Sequence, residues 1–237
     1  MIAYITGTSS GIGKALAEKL LEQSHQVIGL SRRQTIKHPN YTHHAIDLSD
    51  LKQVKAFEFT ANLNDDIVLV NNAGSLGPMV PVGRLIADEI IKINNLNITA
   101  PQILCNQFIQ KYQANIGHLY HIINISSGAG KRPIDGWANY CASKSAIDLF
   151  TQTIEIELKE RKKNNWHVYA VSPGVVDTPM QLSIRSSDPK AFLNRQSFID
   201  LKENNALVAP NNVALQLLEI IHNPKKFNTT LVSLNKR

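Results

Sequence analysis

Two hydrophobic rhythms alternate along this chain. Short unbroken apolar runs are followed by stretches in which apolar residues return every three or four positions. Ile2-Ala3-Tyr4-Ile5-Thr6, stopped by Gly7, is the first run and predicts a buried strand over 2–6. Ile12, Leu16, Leu20 and Leu21 then keep helical spacing over 11–23. Strands are predicted at 26–30, 43–46 and 67–70, with a helix over 50–62 that carries Leu51, Val54, Phe57 and Phe59. Asn71-Asn72-Ala73-Gly74 closes the fourth strand. A helix over 88–116, bent near Pro101, leads to a strand at 118–126. A helix over 137–163 and a strand at 166–171, stopped by Ser172-Pro173-Gly174, come next. The remaining expectations are helices over 187–204 and 211–222, the latter with Leu215, Leu218 and Ile221 on one face, and a strand at 230–234.

Strands alternating with helices imply a parallel sheet covered on both faces. The expected fold is α/β, a Rossmann-type doubly wound sheet of about seven strands. No repeat or linker divides the chain, so 1–237 reads as one domain. The least regular stretch, 178–210, is the expected mobile substrate region.

Composition narrows the classes. At 43% hydrophobic and 19% charged residues, the chain is an ordinary globular protein. Two cysteines exclude a disulfide framework and a Cys-rich zinc site. His43 and His44, on one strand, face opposite ways and cannot chelate together; no metal site is expected. The net charge of +6 comes from scattered residues, and Arg161-Lys162-Lys163 falls at a predicted helix end, where cations oppose the dipole. Nucleic-acid binding is not expected. No run approaches the ~20 apolar residues of a membrane helix, and the first residues lack a signal-peptide pattern. A cytoplasmic location is the expectation.

Thr6-Gly7-Thr8-Ser9-Ser10-Gly11-Ile12-Gly13 lies between the first strand and the first helix. Glycine permits close backbone approach, and a helix start offers free N–H groups to a phosphate. The second strand closes on Ser31-Arg32-Arg33. A carboxylate there would bind the ribose 2′-hydroxyl of NAD; Ser31 leaves room for a 2′-phosphate, and Arg32 and Arg33 can bind one. NADP(H) is therefore the expected cofactor.

Tyr140 and Lys144 stand four apart in a predicted helix and share a face. An ammonium beside a phenol lowers its pKa and fits it for proton transfer. Ser127, after the fifth strand, can hold a carbonyl oxygen beside that tyrosine; Ser126 takes its place if the strand ends a residue earlier.

The ordered motifs T-G-x-x-x-G-I-G, N-N-A-G, Ser127, Tyr140-x-x-x-Lys144 and Pro173-Gly174 resemble the short-chain dehydrogenase/reductase family over essentially the whole chain. The resemblance implies Tyr140 as general acid in carbonyl reduction, Ser127 as carbonyl orienter and Lys144 on the nicotinamide ribose. It implies Asn97 as holder of a relay water, with Asn94 and Asn95 as neighbouring alternatives. Asp47 and Leu48 would lie beside the adenine, and Asn72, Ala73 and Gly74 under the adenosine ribose. Pro173, Gly174, Val176 and Thr178 would border the nicotinamide. A homodimer through the 88–116 and 137–163 helices is implied as well.

Gly136-Trp137-Ala138-Asn139-Tyr140-Cys141, Gly74-Ser75-Leu76-Gly77 and Asp177-Thr178-Pro179-Met180-Gln181 resemble the sepiapterin reductase branch and the related benzil reductases. Leu76, Trp137, Met180 and Gln181 would then line an apolar substrate pocket. The pterin-anchoring carboxylate of sepiapterin reductases has no counterpart in Leu231-Val232-Ser233-Leu234-Asn235, where Ser233 takes its position. An NADPH-dependent reductase of a ketone or 1,2-diketone is the expectation. The alternatives are a pterin carbonyl reductase, an NAD-linked alcohol dehydrogenase, and a catalytically silent NADP-binding regulatory protein.

Overall fold

A computed structural model describes residues 1–62 and 64–234. Asn235, read above with the last strand, lies outside the described residues. The seven strands are β1 (Ile2–Thr6), β2 (Gln26–Ser31), β3 (Tyr41–Ala45), β4 (Ile67–Asn71), β5 (Tyr120–Ile125), β6 (Trp166–Ser172) and β7 (Leu231–Ser233). They form one sheet in the order β3-β2-β1-β4-β5-β6-β7, and every neighbouring pair is parallel. The order reverses between β1 and β4. Such a switch point opens a crevice at the carboxyl ends of the strands.

Helices cover both faces. They are α1 (Gly11–Glu22), α2 (Leu51–Ala56), α3 (Ala87–Asn94), α4 (Ala100–Tyr112), α5 (Ala138–Glu160), α6 (Pro179–Arg185), α7 (Arg195–Glu203) and α8 (Pro210–His222). Alternate strand residues go to opposite sides. Ala3, Ile5 and Ile123 pack with Leu16, Leu20 and Leu217 under α1 and α8. Tyr4, Leu69 and Ile122 pack with Leu104, Phe108 and Ile154 under α4 and α5. This two-sided burial explains why the strands read as continuous apolar runs rather than as alternation.

Several expected boundaries move, each for a local reason. The helix expected over 50–62 stops at Ala56, because Phe57 takes extended backbone angles. Phe57 and Phe59 then meet the Tyr4 ring edge-on at 6.1 and 4.8 Å. The Tyr4 hydroxyl accepts from the N–H groups of Thr60 and Ala61 at 2.9 and 2.7 Å, replacing the helical bonds that segment gives up. The helix expected over 88–116 is interrupted by a π-helical turn at Asn95–Thr99 and ends at Tyr112. Pro101 has no N–H to give to the Asn97 carbonyl, which favours this irregularity.

The expected helix over 187–204 survives only as α7. Its first half is a turn in which Asp188 Oδ1 accepts from Lys190 N at 2.9 Å. The structure adds α6, which was not expected: Thr178 caps it and Pro179 occupies its first turn. On α8, Leu218 and Ile221 are buried as expected but Leu215 is 53% exposed; Val213, Ala214 and Leu217 complete the inner face instead.

Candidate active site

The crevice begins with the loop after β1. Gly7 has φ +75, and a side chain there would come 2.9 Å from the Asn72 carboxamide; one at Gly13 would collide with the same group. Both positions must stay bare for the loop to lie this close to the end of β4. Thr6 Oγ1 accepts from the N–H groups of Asn72 and Ala73, each at 2.9 Å, and Asn72 Nδ2 donates back to Thr6 O at 2.9 Å. These bonds lace Asn72 and Ala73 to the glycine loop. Ser10 is the N-cap of α1 without a side-chain bond into the helix, and the first turn carries no acidic residue. That helix start therefore presents N–H groups and positive dipole to the crevice.

At the end of β2 the Ser31 hydroxyl is engaged locally. It donates to Arg33 O at 2.9 Å and lies 3.3 Å from Thr8 Oγ1 and 3.2 Å from His43 Nε2. The turn it holds leaves Arg32 and Arg33 exposed. Asp47 is partly buried, which works against its charge. Hydrogen bonds from Ser49 and the charges of Arg32 and Lys92 outweigh this and hold its carboxyl below the usual range. Leu48 turns into the core.

Ser127, Tyr140 and Lys144 converge at the carboxyl ends of the central strands. The Ser127 hydroxyl accepts from Ala129 N at 3.1 Å and lies near enough to the Tyr140 phenol to draw its pKa down. Lys144 Nζ donates to Ile125 O at 2.8 Å and lies 5.6 Å from the Tyr140 ring centre. Burial pushes the phenol up to about 12, while Ser127 pulls it the other way. Burial brings the Lys144 ammonium down to about 8, against the opposing charge of Asp148. The phenol thus shifts upward by desolvation, opposite to the lowering expected from Lys144, and the group that opposes burial is Ser127. A phenol in this setting is protonated at neutral pH and is a proton donor. Ser126 does not join the group; it is buried and faces Asp148 on α5.

Asn97, in the π-helical turn, reaches the same group. Its carboxamide makes two bonds to the Ser75 backbone, and its Nδ2 also donates to Ser143 Oγ at 3.1 Å. Ser143 Oγ in turn donates to Tyr140 O at 2.8 Å. Neither serine was singled out from sequence. Ser143 had a signal, since it stands three residues after Tyr140 on the same helix face. Gly74 keeps the floor open: a side chain there would come 3.6 Å from Lys144 Nζ.

Across the crevice, Pro173 and Val176 are buried and Gly174 is exposed. Thr178 hangs over the glycine loop, with its methyl 3.2 Å from where a Gly11 side chain would begin. An apolar cluster roofs the site: Leu76, Trp137, Tyr140, Ile184, Phe192 and Phe198, with Met180 packed against it. Leu76, Trp137 and Tyr140 line a narrow cleft with Pro78, Leu85 and Ile90. Gln181 does not offer its carboxamide to this cleft. It is 2% exposed, donates to Phe198 O at 3.1 Å and accepts from Arg185, bracing α6 against α7. Among the described residues, no cluster of His, Cys, Asp or Glu is arranged to hold a metal, and no helix is long and apolar enough to cross a membrane.

This constellation matches known proteins along the chain. The short chain dehydrogenase family model covers residues 1–189. A benzil reductase ((S)-benzoin forming) from Bacillus subtilis is 38% identical over 224 residues, spanning 92% of this chain and 91% of its own. A sepiapterin reductase from Mus musculus is 28% identical across 93% of this chain and 91% of its own. The crystal structure of a short chain dehydrogenase/reductase from Saccharomyces cerevisiae aligns with TM-score 0.84 at 25% identity, over 99% of this chain and 96% of that one. The chain belongs to the short-chain dehydrogenase family, an oxidoreductase acting on carbonyl and hydroxyl groups. Within it, the chain stands near the benzil and sepiapterin reductases.

The fold is one that binds nicotinamide cofactors, and the residues present fit such a group. The bare approach at Gly7, the open start of α1 and the uncovered Gly74 form a continuous cradle from the β1 loop to Lys144.

Proposed function

We propose that this protein is an NADPH-dependent carbonyl reductase acting on a ketone or 1,2-diketone of the benzil type. The observation that carries this reading is the convergence of Ser127, Tyr140 and Lys144 beneath an apolar roof. The reduced nicotinamide, when bound, supplies the hydride. The first turn of α1, with Gly7, Ser9, Ser10, Gly11, Ile12 and Gly13, holds the pyrophosphate. Arg32 and Arg33 hold the 2′-phosphate beside Ser31, and Asp47 borders the adenine together with the backbone of Leu48, whose side chain is in the core. Asn72, Ala73 and Gly74 form the floor; Pro173, Gly174, Val176 and Thr178 border the nicotinamide.

Ser127 orients the carbonyl oxygen and Tyr140 gives it a proton. Lys144 holds the ribose and supplies positive charge as the phenolate forms. Asn97 positions Tyr140 through Ser143 and keeps the proton path open at its backbone carbonyl. Leu76, Trp137 and Met180 exclude water around the carbonyl, and orientation of this kind lowers barriers by on the order of 7 kcal/mol in good cases.

The relative named benzil reductase supports the diketone. Ser233, on β7, is exposed and uncharged where a pterin would need an anionic anchor. We further propose a cytoplasmic homodimer. Leu149 and Ile156, two turns apart on α5, are 68% and 57% exposed, as is Ile91 on α3 at 57%; sedimentation tests this. The test of the activity is consumption of NADPH, compared with NADH, with benzil, sepiapterin and an aliphatic ketone. Preferred turnover of benzil with NADPH is the expected result. Better turnover of sepiapterin transfers the reading to a pterin reductase. Cofactor binding with no carbonyl reduced transfers it to a regulatory protein.

A further inference from the structure

Trp137 is 6% exposed, yet its indole Nε1 has no acceptor among the described residues. A buried N–H without a partner is uncommon and calls for a reason. The ring is fixed on several sides. It stacks on Phe192 at 5.4 Å, tilts against Phe198 at 5.3 Å and meets the Tyr140 ring edge-on at 5.8 Å. Trp137 also lines the same narrow cleft as Tyr140 and Leu76. Trp166 shares the unpartnered nitrogen but not the place. It begins β6, at the opposite end from the site, and stacks on Tyr120 at 4.9 Å inside the core.

We infer that the Trp137 indole N–H donates to the second carbonyl oxygen of a 1,2-dicarbonyl substrate while the first sits at Ser127 and Tyr140. This rests on the reductase reading above and specifies its substrate class. The two oxygens of such a substrate are on adjacent carbons, so a donor beside the Tyr140 ring is placed to meet the second. Leu76, Pro78, Leu85 and Ile90 offer the cleft only hydrocarbon and the Glu89 carboxylate only accepts, so Asn139 is the one other side-chain donor among the lining residues besides Tyr140. In the reaction the first carbonyl carbon gains hydride and its oxygen gains the Tyr140 proton. The second carbonyl is unchanged and stays bound. A site that grips an oxygen by a buried donor discriminates strongly against an analogue lacking it.

The experiment compares benzil with deoxybenzoin, which has the same two rings and only one carbonyl, in the unaltered enzyme and in Trp137→Phe. The ratio of kcat/KM for benzil over deoxybenzoin is expected to fall at least tenfold in the variant. An unchanged ratio means Trp137 only packs, and overturns the inference while the reductase reading stands. A readout independent of the variant's folding uses the unaltered protein with its two tryptophans labelled at the indole nitrogen. With oxidised cofactor present, benzil is expected to move the Trp137 indole proton downfield and deoxybenzoin is not, the Trp166 signal serving as internal control. Equal responses to both ketones overturn the inference. If the unaltered enzyme reduces neither ketone, the reductase reading falls and takes this inference with it, an outcome distinct from the other two.

Discussion

Asn97 and Ser75 exchange two hydrogen bonds, Ser75 N donating to Asn97 Oδ1 at 2.9 Å and Asn97 Nδ2 donating to Ser75 O at 2.8 Å. The pair ties the segment after β4 to the π-helical turn. With a third bond to Ser143, the carboxamide has little left to offer a ligand. Its main-chain carbonyl is different, because Pro101 withholds the N–H that an α-helix would supply. Asn97 is thus a clamp by its side chain.

Replacing Asn97 by alanine strands the Ser75 N–H and C=O. Unsatisfied buried groups cost about 1–3 kcal/mol each. A domain of this size loses roughly 2–4 °C of Tm per kcal/mol. Asn97→Ala is expected to melt at least about 4 °C lower and to lose activity in parallel. Thermal unfolding followed beside turnover checks this. Lost turnover at an unchanged Tm would move Asn97 from clamp to direct participant.

Tyr140→Phe removes one oxygen and leaves the packing with Trp137. The expected loss in kcat is on the order of 10²–10⁴, the usual worth of a positioned proton donor, with cofactor affinity retained. The pH profile separates Tyr140 from Lys144. The phenol, pushed up to about 12, keeps its proton across the neutral range, so it sets no limb there. Lys144, brought down to about 8, loses its charge above that pH. Reduction is therefore expected to decline on the alkaline side through a pKa near 8 in kcat/KM. A flat profile to pH 10 removes Lys144 charge from the mechanism.

What could be read from sequence was what depends on local pattern. The strands were legible because burial on both faces leaves apolar runs, and Tyr140 and Lys144 because helical spacing puts them on one face. The glycine loop was legible because Gly7 and Gly13 stand where backbone must approach backbone. What was missed depends on long-range partners. The helix after Asp50 ends early because Tyr4, some fifty residues away in the chain, takes Phe57, Phe59 and two N–H groups. Gln181 looked like a pocket residue, and its carboxamide is spent on Phe198 and Arg185. Phe192 and Phe198 roof the site from the stretch 187–204, which reads as a polar helix and gives no sign that they turn inward. Helix α6 did carry a local signal, the Thr178-Pro179 start.

The proposed preference for NADPH rests on Arg32 and Arg33. Ser31 Oγ holds the turn through Arg33 O rather than presenting itself to a phosphate, so in the proposed reading the arginines would carry the discrimination. Arg32 also contributes to keeping Asp47 ionised, so its charge is felt at the end of the crevice where the adenosine is proposed to lie. Charge-assisted bonds to a phosphate are roughly twice as strong as neutral ones. Arg32→Ala is expected to weaken NADPH by about tenfold, equivalent to about 1.4 kcal/mol, and NADH little. Titration of each reduced cofactor measures it, and equal weakening of both removes Arg32 from 2′-phosphate recognition.

His121 predicts an acid sensitivity that belongs to the fold rather than to catalysis. It sits on β5 opposite His167 on β6, with ring centres 5.1 Å apart, and its Nδ1 has no partner among the described residues. It is 2% exposed; burial first, and then the charge of His167, bring its pKa down to about 3, with Asp66 opposing and His222 assisting. The unfolded chain takes up this proton near 6.5. Between those values the unfolded state binds more protons than the folded one, so stability rises with pH and falls on acidification. One full proton is worth about 1.4 kcal/mol per pH unit. His121→Val removes that contribution, leaving the smaller one of His167, whose pKa burial also lowers. Urea unfolding between pH 4.5 and 7 is expected to show a shallower dependence in the variant. A slope equal to the parent's would assign the acid sensitivity to other groups.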